Sequence, residues 1–170
     1  FNIPQLEIEG YEADDIIATY CNLAEKQKIN SIIVSSDKDL MQLVTKEITM
    51  LDPMKNKKIG IEQVIEKFGL PPEKVVQIQA LTGDKVDNIP GAPGIGPKTA
   101  LQLIQEFGDV HKLIQNANKI PQEKRRNIIL DHEEDILVSL KLVKLKDDIK
   151  LPIDINNCLL YTSDAADECS

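Results

Sequence analysis

Seven carboxylates fall into three short stretches: Glu12, Asp14 and Asp15 in GYEADD, Asp37 and Asp39 in VSSDKDLMQLV, and Asp84 and Asp87 in TGDKVDN. The i, i+2 spacing of Asp37 and Asp39 lets both side chains converge in an extended turn. Asp84 and Asp87, at i, i+3, share one face if they lie on a helical turn. Two carboxylates about 5 Å apart repel by roughly 3 kcal/mol at an effective dielectric near 20, so converging acids call for bound cations. An all-oxygen donor set with little or no histidine selects hard ions, Mg²⁺ or Mn²⁺. Each stretch also has a local explanation. Acids in the first turn of a helix gain about 0.3–1 kcal/mol each from its dipole, and Asp37, Asp84 or Asp87 can cap a helix. Capping accounts for one acid of a pair, not for both.

A second kind of chemistry is offered by PGAPGIGPKTALQLIQEFG, which contains Gly91, Gly94 and Gly96. Gly96 suits an N-cap and Pro97 the first helical position. Ala100, Leu103, Ile104 and Phe107 form an apolar stripe, and Gly108 closes the helix. Free backbone N–H groups at such an entrance suit a phosphate. Lys98 in the first turn opposes the helix dipole, which makes sense if an anion binds there. A tight helix–helix connection, in which the glycines only solve geometry, is the plainer alternative. Backbone contacts read phosphates rather than bases, so the nucleic-acid binding expected here is sequence-independent and salt-sensitive. Lys124, Arg125 and Arg126 read first as a solvated helix face and second as a further phosphate contact.

These groups need elements to position them. Residues 13–27 carry a 3.6-residue stripe of Ile16, Ile17, Tyr20, Cys21, Leu23 and Ala24 and read as a helix, with Cys21 on its packing face. SIIVSS (31–36) reads as a buried strand, 38–44 as a short helix, EITMLD (47–52) as a second strand ended by Pro53, and IEQVIEKFG as a helix stopped by Gly69. The alternation predicts parallel strands with crossover helices. In such sheets ligands bind beyond the carboxyl ends of strands, where Asp37 and Asp39 lie. After about residue 72 the pattern turns helical: PPEKVVQIQALTG, the glycine-rich turn and its helix, DVHKLIQNA, and the segment near 122–145. The expected organisation is an α/β base over 1–72 and a helical module over 73–155. LLYTSDAADECS shares no periodicity with what precedes it, and 159–170 read as a non-native tail.

Composition sets the frame. The chain has 170 residues, a net charge of −8, 42% hydrophobic residues and 4% aromatic ones. The acidity is concentrated in the clusters that cations would neutralise, so it does not exclude a nucleic-acid partner. Three unpaired cysteines, Cys21, Cys158 and Cys169, and two distant histidines argue against a zinc site and for a reducing, cytoplasmic setting. No apolar run nears the roughly 20 residues of a membrane span, and residues 1–10 lack the pattern of a signal peptide.

In order and spacing, GYEADD, VSSDKDLMQLV and ALTGDKVDNIPGAPGIGPKTA closely resemble the 5′-nuclease domain of bacterial DNA polymerase I, of the flap-endonuclease superfamily, over about residues 3–155. The resemblance implies a PIN-like α/β domain followed by a helix–three-turn–helix module. It implies 5′→3′ exonuclease and structure-specific flap cleavage of DNA in primer removal and repair. It assigns Glu12, Asp14, Asp15, Asp37, Asp39, Asp84 and Asp87 as metal ligands, direct or through water, with Asp15, Asp37 and Asp39 central to catalysis. Gly94, Ile95, Gly96, Lys98 and Thr99 fall on the segment that grips duplex DNA, where related nucleases also hold K⁺. Two metals about 3.5–4 Å apart would activate water and stabilise the transition state. The family carries further aspartates and a basic helical arch upstream of GYEADD, whereas only nine residues precede that motif here. The expectation is a truncated piece, normally linked to a polymerase, that binds DNA and cleaves poorly alone. The alternatives are a stand-alone flap endonuclease, a non-catalytic duplex-binding module with structural acids, and a PIN-type ribonuclease.

Overall fold

The computed structural model describes residues 4–157. The tail over 159–170, Cys158 and Cys169 lie outside them. Helix α1 spans Ala13–Gln27 and buries Ile16, Ala18, Thr19, Cys21 and Ala24, the face marked by the apolar stripe. Cys21 is a buried packing residue, and burial pushes its thiol up to about 12.

Strand β1 (Ser31–Val34) pairs in parallel with β2 (Ile48–Asp52), with Ser31 opposite Ile48 and Val34 opposite Leu51. The link between them is a 3₁₀ turn over Asp39–Leu43 rather than an α-helix. β1 is not the fully buried strand that SIIVSS predicts. It is an edge strand among the described residues, and Ile32 and Val34 are each 63% exposed while Ile33 faces the core.

A third strand, β3 (Lys57–Ile59), pairs antiparallel with β2, so the sheet is mixed. Its sequence, KKI, is too short and polar to show strand periodicity. The turn before it is organised by Asp52, whose Oδ1 accepts from the amides of Met54 (3.0 Å) and Lys55 (3.2 Å) and from the Ser36 hydroxyl (2.9 Å). Asn56 takes the left-handed conformation (φ 46°), which asparagine tolerates.

Helix α2 (Ile61–Phe68) stops at Gly69, φ 76°. A 3₁₀ turn over Pro72–Lys74 leads into α3 (Val75–Thr82). Then follow α4 (Pro97–Phe107), α5 (Val110–Gln115), α6 (Glu123–Asp131) and α7 (Glu133–Val143). Asp109 caps α5 by accepting from the Lys112 amide at 2.8 Å. The 122–145 segment breaks at His132, so that Ile129 on α6 and Ile136 on α7 both reach full burial.

Two apolar cores result. One joins the sheet to α1 and α2 through Cys21, Ile33, Leu40, Met50 and Val64. The other joins α3, α4, α5 and α7 through Leu81, Leu103, Ile104, Leu113 and Ile136. Each of these large side chains contributes about 1.5–3 kcal/mol on burial. Phe68 packs against both cores. Beyond α7 the chain returns to α1: Tyr20 Oη donates to the Ile153 carbonyl (2.8 Å) and Asn22 Nδ2 to that of Asp147 (3.0 Å). No described helix is long and apolar enough to cross a membrane.

Candidate metal and nucleic-acid site

The chain leaves β1 through Ser35 and Ser36 and reaches the second acid pair at once. Asp37 Oδ1 accepts from the Asp39 amide (2.9 Å), and the Asp37 amide donates to Ser35 Oγ (3.0 Å). Asp37 thus braces the turn from one residue before its N-cap, which is Lys38. Asp39 is held differently: its half-buried carboxylate accepts from Gln79 Nε2 on α3. Burial and the neighbouring Asp37 push the Asp39 carboxyl above its ordinary range, against the Gln79 hydrogen bond.

The first cluster opens α1. Burial raises the Asp14 carboxyl, and the charges of Asp37 and Asp39 raise it further, ahead of Glu12 and Asp15. Clusters 25 residues apart in sequence thus lie in one electrostatic field. Asp15 faces away from this pair: Oδ1 accepts from the Lys146 amide (2.9 Å), and Oδ2 accepts from the Glu12 amide (3.4 Å). Glu12 is exposed at the helix start.

The third cluster is not on a helical turn. Asp84 and Ile89 form a backbone bridge, with N–H···O distances of 2.9 and 2.7 Å, and Asp84 Oδ1 accepts from the Val86 amide (2.8 Å). Asp84 pairs with the Lys38 ammonium, which holds its carboxyl below the ordinary range. Asp87 is exposed and adds to the repulsion at Asp39.

The acids therefore gather along one edge without forming a closed shell. Among the described residues, no three His, Cys, Asp or Glu side chains stand close enough to hold a metal ion together. The donor chemistry still fits a hard cation. The carboxylates repel one another, and Gln79, only 8% exposed, has an Oε1 with no partner. A cavity of about 240 Å³ is lined by Lys38, Asp39, Gln79, Asp84 and Pro97, the first residue of α4. It brings two of the acids to the start of the helix that follows the glycine-rich turn.

In that turn the glycines differ. A Cβ on Gly91 (φ 60°) would lie 2.4 Å from the Gly83 amide nitrogen, so Gly91 serves close backbone packing. Gly94 (φ 85°) would meet only Ile128 Cδ1 at 3.9 Å, and Gly96 nothing within 4 Å. Both face open space. The side chain of Ile95 is buried and its amide donates to the Ala92 carbonyl (3.0 Å). Lys98 is exposed and Thr99 half-buried in the first turn of α4, where amides lack intrahelical acceptors. In the neighbouring α6, Arg126 Nη1 is engaged with the Ile120 carbonyl (3.0 Å) and Arg125 Nη1 lies 3.4 Å from Gln102 Oε1.

Two family models cover the chain: the 5′-3′ exonuclease N-terminal resolvase-like domain over residues 1–69 and the 5′-3′ exonuclease C-terminal SAM fold over 70–166. The chain belongs to the 5′-3′ exonuclease family. It is 54% identical over 160 residues to DNA polymerase I of Rhizobium leguminosarum, covering 94% of the chain and 16% of that protein. It is 41% identical over 151 residues to a 5′-3′ exonuclease of Aquifex aeolicus, covering 89% of the chain and 51% of that protein. The chain thus spans between about a sixth and half of the length of these two relatives. A solved bacteriophage T5 flap endonuclease, in a pseudo-enzyme-product complex with DNA and metal ions, superposes with a TM-score of 0.76 at 27% identity, covering 85% of this chain and 54% of that one.

Within the exonuclease family frame, Glu12 to Asp39 lie in the N-terminal matched part, and Asp84, Asp87 and the glycine turn lie in the C-terminal one. At the second and third acid clusters, two side-chain contacts, Gln79 to Asp39 and Lys38 to Asp84, are among those that cross between the parts. Sequence reasoning passed over both crossing partners. Gln79 had a signal, a polar residue inside the apolar run VVQIQALT. Lys38 had one too, a lone cation between two aspartates.

Proposed function

We propose that this chain carries the acid edge and the duplex grip of a 5′→3′ DNA exonuclease and flap endonuclease that uses divalent metal. The observation that carries this reading is one cavity lined both by Asp39 and Asp84 and by Pro97 at the start of α4. Hydrolysis at a phosphodiester needs that pairing of anionic metal donors with a phosphate cradle. Support comes from the T5 neighbour's DNA and metal ions and from the family of both matched parts.

In this reading Glu12, Asp14, Asp15, Asp37, Asp39, Asp84 and Asp87 supply oxygen donors for Mg²⁺ or Mn²⁺, nearest the reaction at Asp15, Asp37 and Asp39. Bound metal would supply an activated water and charge neutralisation at the phosphate. The chain's own part is to orient. Gln79 fixes Asp39, Asp37 fixes the turn that carries it, and the Lys146 amide fixes Asp15. Gly94 and Gly96 let a phosphate backbone approach, Lys98 neutralises it, and the Lys98 and Thr99 amides donate to it. The Gly94–Ile95–Gly96 carbonyls are the candidate K⁺ ligands. Residues 1–72 form the α/β unit, which carries five of the seven acids, and 73–155 the helical gripping unit, which adds Asp84 and Asp87, with a polymerase as covalent neighbour in the longer protein.

The test is cleavage of a 5′-flap duplex by the gene product with Mg²⁺ or Mn²⁺. Asp37→Asn and EDTA are each expected to lower the rate at least about 100-fold, the scale of losing charge stabilisation at a transition state. A variant that cuts like the wild type would remove Asp37 from the site. A competing reading, a duplex-binding module with structural acids, is favoured by the local backbone amides that Asp37 and Asp84 accept from. It predicts binding indifferent to divalent metal and no cleavage at all.

A further inference from the structure

Lys38 sits between Asp37 and Asp39 in sequence, yet its ammonium pairs with Asp84, whose side chain is 15% exposed against 47% for the lysine. It thereby closes the gap between the second and third acid clusters. The charged groups around it are Asp37, Asp39, Asp84 and Asp87, with Lys67 lining the same cavity. Lys67 lies over the Phe68 ring, 5.3 Å from its centroid. Lys38 is thus the one ammonium, among the described residues, in ion-pair contact with these acids.

We propose that the Lys38 ammonium is a built-in stand-in for a divalent ion, holding Asp84 against the Asp37–Asp39 pair and swinging out when metal binds. This rests on the metal-dependent reading above. A single positive charge on a four-carbon stem neutralises one carboxylate and leaves Asp39 facing Asp37 and Asp14. A divalent ion brings twice the charge with no stem to order. The lysine is half in water, so its ion pair is weak enough to yield. With the ammonium on Asp84 and Gln79 on Asp39, the two carboxylates are each engaged by a different partner, and no three acids yet close around a common point among the described residues.

Removing the stand-in should therefore strengthen metal binding. Mn²⁺ titrated calorimetrically into the gene product is expected to bind Lys38→Met about 2- to 5-fold more tightly than wild type, the range of an exposed ion pair given up by the competitor. Lys38→Arg, which keeps the charge, is expected to bind like wild type. In EDTA, Lys38→Met is expected to melt below wild type and to recover more on adding Mn²⁺. Once Asp84→Asn has removed the partner, the Lys38→Met gain should vanish. Equal or weaker Mn²⁺ binding by Lys38→Met overturns the stand-in while leaving the metal site intact. Mn²⁺ uptake that Asp37→Asn and Asp39→Asn both leave unchanged overturns the metal reading itself, and the stand-in with it.

Discussion

The acid edge and the glycine turn lie across one cavity and are built on opposite principles. The turn is made of backbone. Gly91 packs against Gly83, its amide donates to the buried Ser139 hydroxyl (2.9 Å), and Ile95 anchors the loop in the core. The shape of the loop is set without charged side chains. The edge is made of like-charged side chains that burial and proximity set against one another, with Lys38 as partial relief. A phosphate grip can be finished by packing alone, whereas a metal site must stay under electrostatic tension until its ion arrives.

The largest effect that would sharpen this contrast is expected at Gly91. Gly91→Ala forces a Cβ onto the Gly83 backbone at a positive φ and should cost about 2–5 kcal/mol in urea unfolding. Gly96→Ala, with open space around it, should cost under about 1 kcal/mol. Equal costs would mean that the two glycines do not divide into packing and access. A smaller effect is expected at Lys98. Lys98→Ala should weaken duplex binding at every sequence tested and reduce the log–log salt slope by about 0.9, with thermal stability unchanged. A slope left intact would take Lys98 off the phosphate track.

The smallest effect separates the two regions by pH. Asp14 and Asp39 have raised carboxyls in the folded state, so the metal-free protein binds protons more tightly than its unfolded chain there. Stability should therefore rise as pH falls through their folded values toward the unfolded value of about 3.9, a small gain because both groups are partly solvated. Asp84 and Asp109 are held low, Asp84 chiefly by Lys38 and Asp109 by the Lys112 amide. Asp52 is held low too, the Ser36 hydroxyl and the Lys55 and Met54 amides outweighing its burial. Their contribution is present above the unfolded value, about 3.9, and is lost below it as pH falls through their folded values. A midpoint that peaks in mild acid without metal, and flattens when Mn²⁺ is added, would place the tension at the acid edge. A monotonic fall from pH 7 would deny it.

The parts legible in the sequence were those with local causes. Periodicity marked α1, and Gly69, Gly96, Pro97 and Gly108 marked helix ends that the structure places where the residues point. β3 was hidden because three residues carry no period. The exposure of Ile32 and Val34 was hidden because an apolar run cannot tell an edge strand from a central one. Asp84 and Asp87 were read on a helical turn because i, i+3 spacing fits one. The Asp84–Ile89 bridge is set instead by the close approach of Gly83 and Gly91, a contact eight residues long in sequence. Gln79 and Lys38 reach the acids only through tertiary packing, which no local pattern records.

The hold on Asp15 by the Lys146 amide has a consequence in time rather than in space. The two residues are separated by 131 positions. A ribosome adds residues at about 5–20 per second. A carboxylate made near the start of this stretch thus waits on the order of ten seconds or more for the backbone group that fixes it. Contacts of such long separation form late in folding. During synthesis the hold on Asp15 therefore forms only after α2 to α7 have been made.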